Sequence, residues 1–211
     1  ANIQLCTAHW YGGNREQSCE NTVKSVKKLL GGIQIDGYYE LNMSEIPKLN
    51  NMVDGVTVTL EDDFSKKYPK MKKGATINLN DEQAYAYVHD RYGVGDEENT
   101  SRMKRQQQYM TGFFKKLQEK VKANPNYANE VFESLQDVST TDITIGKISN
   151  ISNIFASGTD KGIFELAGKS KIGQALGDEI DHMEFYVNKK AMVSTMSELF
   201  GIVEQKNKDK N

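Results

Sequence analysis

Apolar residues in EQSCENTVKSVKKLLGG fall at Cys19, Val23, Val26 and Leu30, the spacing that lines one side of a helix. Asn14 stands where an N-cap is wanted, lysines gather near the far end, and Gly31-Gly32 stop the helix. Ahead of it, residues 2 to 8 read as a short buried strand running into the aromatic turn HWYGG. IQIDGYYELNM is strand-like. A helix beginning at Ser44 follows, with Ile46, Leu49 and Met52 on one side. Asp54-Gly55 turns the chain into VTVTL, whose β-branched alternation is a strand pattern. This β-α-β-α-β order places the chain in the α/β class.

Residues 61 to 78 are polar and turn-like and read as a surface loop. Asn80 or Asp81 caps DEQAYAYVHD. The longest amphipathic helix spans 101 to 123, with Met103, Met110, Phe113, Phe114, Leu117 and Val121 as its apolar stripe. Further helices are predicted over 127 to 137 and 146 to 157, a late strand at MEFYV, and a last helix over 189 to 203. The glycine-rich stretch between them has no clear assignment, and EQKNKDKN closes the chain as a polar tail. The sequence shows neither an internal repeat nor a low-complexity linker.

Composition narrows the function. The 211 residues, 37% hydrophobic, suffice for one real core. A net charge of -2 argues against a protein that coats nucleic acid through a general basic field, so any anion site must be local. No apolar stretch is long enough for a membrane span, and the start lacks a signal-peptide pattern. Two cysteines, Cys6 and Cys19, are too few for a disulfide framework. Two buried thiols are one reading, a disulfide or reactive thiol the other.

The local anion site has one candidate. YVHDRYGVGDEENTSRMKRQQQYM gathers His89, Arg91, Arg102 and Arg105 around a loop broken by Gly93 and Gly95. Arg102 and Arg105, three apart, share a helix face. His89 and Arg91, two apart, would point the same way in an extended stretch. Guanidinium forks beside a helix start suit a phosphate or pyrophosphate. The competing reading pairs these arginines with Asp90, Asp96, Glu97 and Glu98 on a solvated face. Glutamines 106 to 108 are good helix formers with no necessary chemistry. His9 and Trp10 read as part of an aromatic turn packed on a sheet, His182 as structural, and Tyr85, Tyr87, Met103, Met110 and Phe113 as core.

The order DGVTVTLEDDF, then DEQAYAYVHDRYGVGD, then SRMKRQQQYM, with TAHWYGG before them, resembles the LytR-CpsA-Psr family, enzymes that attach glycopolymers to the bacterial cell wall. The resemblance covers roughly residues 7 to 120. It implies an α-β-α sandwich with a central mixed sheet, in which residues 1-125 form the partial core, 126-203 the remaining helices and strand of the same domain, and 204-211 a tail. It implies phosphotransfer from a polyprenyl-pyrophosphate-linked glycan to peptidoglycan at the outer face of the membrane, with the full-length protein membrane-anchored, or else non-catalytic binding of polyprenyl phosphate or an anionic wall polymer. Arg91 and Arg102 match family clamp arginines and are the candidate catalytic pair. Arg105 matches a position where an ion pair or structural role, on one side, and ligand contact, on the other, are equal alternatives. His89 replaces an arginine and supplies less charge at neutral pH. The family's magnesium implies carboxylates on front strands that do not precede TAHWYGG here, so the chain resembles the C-terminal part of such a domain. Asp96, Glu97 and Glu98 are the local substitutes to weigh. An uncovered sheet edge would favour a homodimer.

Overall fold

The computed structural model describes residues 5–174 and 179–201, leaving out the Cys6 side chain. The predicted polar tail lies outside the described residues. The helices are α1 (Arg15–Leu29), α2 (Ile46–Met52), α3 (Asp81–His89), α4 (Asn99–Ala123), α5 (Tyr127–Ser134), α6 (Ile145–Ser157) and α7 (Lys189–Phe200). The strands are β1 (Tyr39–Leu41), β2 (Thr57–Thr59), β3 (Thr76–Asn78), β4 (Ser139–Thr141), β5 (Gly168–Gly173) and β6 (His182–Val187). The chain is thus mixed α and β, as expected. Among the described residues the strands pair as small two-stranded sheets. None of the described helices is long and apolar enough to cross a membrane.

Two compact units are distinguished. One takes in the described residues up to Tyr38, Thr140–Asp142, and those from Phe164 on. Here Leu5–Tyr11 form a 3-10 helix, which corrects the strand expected at residues 2 to 8. A short apolar run cannot tell strand from helix by period alone, and Trp10 and Tyr11 are exposed instead of packed on a sheet. Asn14 caps α1 by accepting the Gln17 amide at 2.9 Å. Cys19 is buried, and the reading of Cys6 as a buried thiol or disulfide partner lies outside the described side chains. The unassigned glycine-rich stretch contributes β5, which pairs antiparallel with β6, Gly168 facing Val187 and Gly173 facing His182.

The other unit, Tyr39–Ser139 with Ile143–Ile163, carries the arginine loop. The alternation in VTVTL works as predicted: Val56, Val58 and Leu60 are buried, while Thr57 and Thr59 face outward. The segment expected to be only a loop returns as β3, antiparallel to β2 in the register Thr57↔Asn78 and Thr59↔Thr76. The Thr59 and Thr76 hydroxyls meet across the strands at 2.8 Å. Among the lysines between them, Phe64 and Met71 are buried, and the Phe64 amide donates to Met71 O at 2.9 Å. Two apolar anchors therefore pin a segment that composition reads as solvated.

Helix α4 lies across this hairpin. Its Gly112 is needed there, because a Cβ would stand 2.6 Å from Val56 Cγ1. Its buried residues are Arg105, Tyr109, Phe113 and Val121, spaced in multiples of four. Met103, Met110 and Phe114, expected in the core stripe, are exposed.

Candidate functional site

The arginine loop is built on the junction between α3 and α4. Helix α3 starts on a capping box, in which Asn80 accepts the Gln83 amide at 2.9 Å and Gln83 accepts the Asn80 amide at 3.0 Å. It ends at His89, and its last carbonyls need partners from elsewhere. Arg105 Nε donates to Tyr87 O at 2.9 Å and Gln106 Nε2 to Val88 O at 2.9 Å. A second Arg105 nitrogen donates to Asp90 O. A cation on a helix C-terminus also meets the negative end of its dipole.

Arg105 is the largest fully buried side chain described. Its remaining fork nitrogen is paired with the Asp62 carboxylate, and its guanidinium carbon sits 5.2 Å from the Phe64 ring centre. Each of its three guanidinium nitrogens makes a bond within the protein, and the side chain is 2% exposed. The glutamines also have a task that composition did not disclose. Gln106 closes α3, and Gln108 links the Tyr87 hydroxyl to Thr59 O, donating to the latter at 3.1 Å. Burial pushes the Tyr87 hydroxyl far above its ordinary range, so it stays a donor to Gln108.

This anchor sets the place of the other two arginines. Asp90 O, bonded to Arg105, belongs to the peptide that precedes Arg91, and Arg102 lies three residues before Arg105 on the opening of α4. Arg91 therefore follows, and Arg102 precedes by one helical turn, the two residues joined at this anchor. Arg91 donates to the Tyr92 hydroxyl, and Arg102 donates to Asn99 Oδ1 at 2.7 Å. Neither is paired with Asp90 or Glu98. In both, Nε is buried and has no hydrogen-bond partner, a costly state for a charged donor.

His89 behaves differently from the extended-chain expectation. As the last residue of α3 it stacks on Tyr85, ring centres 4.8 Å apart, and its Nδ1 lies 3.1 Å from Asp90 Oδ1. The other Asp90 oxygen takes Lys67 at 3.3 Å, and this contact holds the lysine above its ordinary range. His89 is thus engaged with its own helix and Asp90, while Arg91 follows beyond the helix end.

The loop carboxylates are occupied as well. Asp96 accepts the Glu98 amide at 3.0 Å and the Ser101 hydroxyl at 2.8 Å. These two donors hold its carboxyl below the usual carboxylate range. Glu97 accepts the Gly93 amide at 2.8 Å. Among the described residues, no three His, Cys, Asp or Glu side chains converge on this loop. Asp96 and Glu97 therefore act as turn and helix-start acceptors.

Glycine is required at the tightest point. Gly95 has φ +54, and a Cβ on it would lie 2.5 Å from Asp62 Oδ1, so the loop packs its backbone directly on the carboxylate that holds Arg105.

Solved structures share this fold. The Lin1025 protein from Listeria innocua aligns with a TM-score of 0.66 and 21% identity over 95% of this chain and 79% of its own. B. subtilis TagV aligns with a TM-score of 0.66 and 21% identity over 92% and 73%. TagT bound to LI-WTA aligns with a TM-score of 0.64 and 19% identity over 92% and 69%. No curated protein sequence matches significantly. Residues 2–200 match the LytR_cpsA_psr family, well beyond the stretch that carried the sequence resemblance, and the chain belongs to the LytR-CpsA-Psr family.

Proposed function

We propose that the protein serves cell-wall glycopolymer attachment by holding the phosphate or pyrophosphate of a polyprenyl-linked glycan between Arg91 and Arg102. The observation that carries this reading is the pair of buried Nε donors without partners, set on a rigid junction in a chain of this family. An ionised phosphate oxygen is the acceptor that best suits such donors. TagT bound to LI-WTA supports a wall glycopolymer as the ligand class. The reaction would transfer glycan-1-phosphate to peptidoglycan at the outer face of the bacterial membrane. A wall hydroxyl attacks the glycan-bearing phosphorus and gives its proton to water, the bond to the bridging oxygen breaks, and polyprenyl phosphate leaves with the electron pair. Arg91 and Arg102 would stabilise charge on the phosphate oxygens.

A second reading on the same arginine pair has the site bind polyprenyl phosphate or an anionic wall polymer without turnover. Calorimetry with farnesyl diphosphate tests the shared part. Arg91→Ala and Arg102→Ala should each weaken binding by about 1.5 to 3 kcal/mol, the range for a charge-assisted hydrogen bond, with unfolding midpoints unchanged. Full binding by both variants would overturn the phosphate site. Release of polyprenyl phosphate from a glycan-loaded carrier in the presence of peptidoglycan then separates transferase from binding module.

A further inference from the structure

We infer that Tyr92 is the residue of this site that recognises the sugar next to the phosphate, as a stacking platform for a pyranose ring. The inference rests on the phosphate reading of Arg91 and Arg102 and adds the neighbouring subsite. Tyr92 is 75% exposed, at the point where the chain leaves α3 and turns at Gly93, whose φ is +75. A single exposed aromatic needs no explanation by itself. This one is held in place: its hydroxyl accepts from the Arg91 guanidinium, whose carbon lies 4.3 Å from the ring centre.

The ring is therefore tied to the very cation whose Nε lacks a partner. A guanidinium fork on a phosphate places the group esterified to that phosphate within a bond or two of the arginine, and the adjacent surface is the Tyr92 ring. The flat face of a pyranose presents weakly positive C–H bonds, which suit the negative face of an aromatic ring. The arginine beneath satisfies the hydroxyl and fixes the ring plane, so little rotamer freedom remains to be lost when a sugar docks. Of the other aromatics at this junction, Tyr87 and Phe64 are buried and Tyr85 is stacked on His89, which leaves Tyr92 as the open face.

The test uses the full chain and two probes: farnesyl diphosphate, and the same diphosphate carrying N-acetylglucosamine on its terminal phosphate. Calorimetry gives the ratio of the two affinities, in which the difference in phosphate charge cancels between variants. The ratio in favour of the sugar-bearing probe should fall about fivefold in Tyr92→Ala, the size of one aromatic stacking contact. It should persist in Tyr92→Phe, which keeps the ring and loses the hydroxyl. An unchanged ratio in Tyr92→Ala overturns this inference and leaves the phosphate site standing. Binding of neither probe, or unimpaired binding of both by Arg102→Ala, overturns the phosphate reading and this inference with it.

Discussion

Arg105 and Asp62 form a buried ion pair across 43 residues of chain, the arginine side chain 2% exposed and the aspartate 13%. The pair does more than neutralise itself, because the same guanidinium closes Tyr87 O and Asp90 O at the end of α3. Removing one partner leaves a desolvated charge, which costs about 3 to 5 kcal/mol. Asp62→Ala should therefore lower unfolding stability by that amount, read by urea denaturation. Asp62→Leu combined with Arg105→Met should recover part of it, since the uncompensated charge is gone while the α3 carbonyls stay unclosed. A loss below about 1 kcal/mol in Asp62→Ala would place the pair with ordinary surface bridges.

Gly95 and Gly93 separate two effects of the same loop. Both have positive φ, but a Cβ at Gly93 meets nothing within 4 Å, while at Gly95 it meets the Asp62 carboxylate. Gly93→Ala should cost about 1 to 2 kcal/mol from backbone conformation alone. Gly95→Ala should cost more, and should also loosen the Arg105 anchor. Thermal unfolding of the two variants side by side measures the difference. Equal losses would mean that the loop moves off Asp62 freely.

How far the sequence discloses this arrangement depends on which physical signal each part uses. Alternation in VTVTL, the Asn14 and Asn80 caps and the Asp54-Gly55 turn are local signals, and each appears where the residues place it. Strand β3 was not legible, because its hold on β2 is tertiary and its approach is lysine-rich. The loop was recognisable as a cluster of cations, yet their division of labour was not. Arg102 and Arg105 are three apart and chemically equal in the sequence. Only the fold decides that Arg105 turns inward to α3 and that Arg102 keeps its Nε unpartnered. The same blindness hid Gln106 and Gln108, whose acceptors are main-chain carbonyls far away in the chain.

Helix α4 gives the sharpest case and a direct test. Counting apolar residues selects Met103 and Met110 as core, but the face that packs runs through Arg105, Tyr109 and Phe113. A buried arginine inside the stripe shifts the apparent apolar face around the helix. Met103→Gln and Met110→Gln should change stability by no more than about 0.5 kcal/mol, as surface substitutions do. Phe113→Ala should cost about 3 to 5 kcal/mol through the cavity it leaves. Chemical denaturation of the three variants checks the ordering, and a large loss in either methionine variant would return that residue to the core.

Asp96 supplies the pH dependence of the loop. Helix α4 begins at Asn99 without a side-chain cap from Glu98, and Asp96 provides the missing acceptor through the Glu98 amide and the Ser101 hydroxyl. Those hydrogen bonds favour the ionised form, so its carboxyl titrates below the ordinary aspartate range. The folded protein then binds this proton less tightly than the unfolded chain. Its contribution is complete above the ordinary aspartate range and is lost as pH falls through the depressed folded value. Other carboxylates titrate in the same region, and comparison with Asp96→Asn isolates this one. The urea midpoint of the wild type should exceed that of the variant at neutral pH, and the gap should close on acidification below the ordinary aspartate range. Amide exchange at residues 98 to 101 should speed up over the same interval, since the start of α4 is what Asp96 holds. A gap that stays constant into acid would show that the Asp96 carboxylate charge does not hold the helix start.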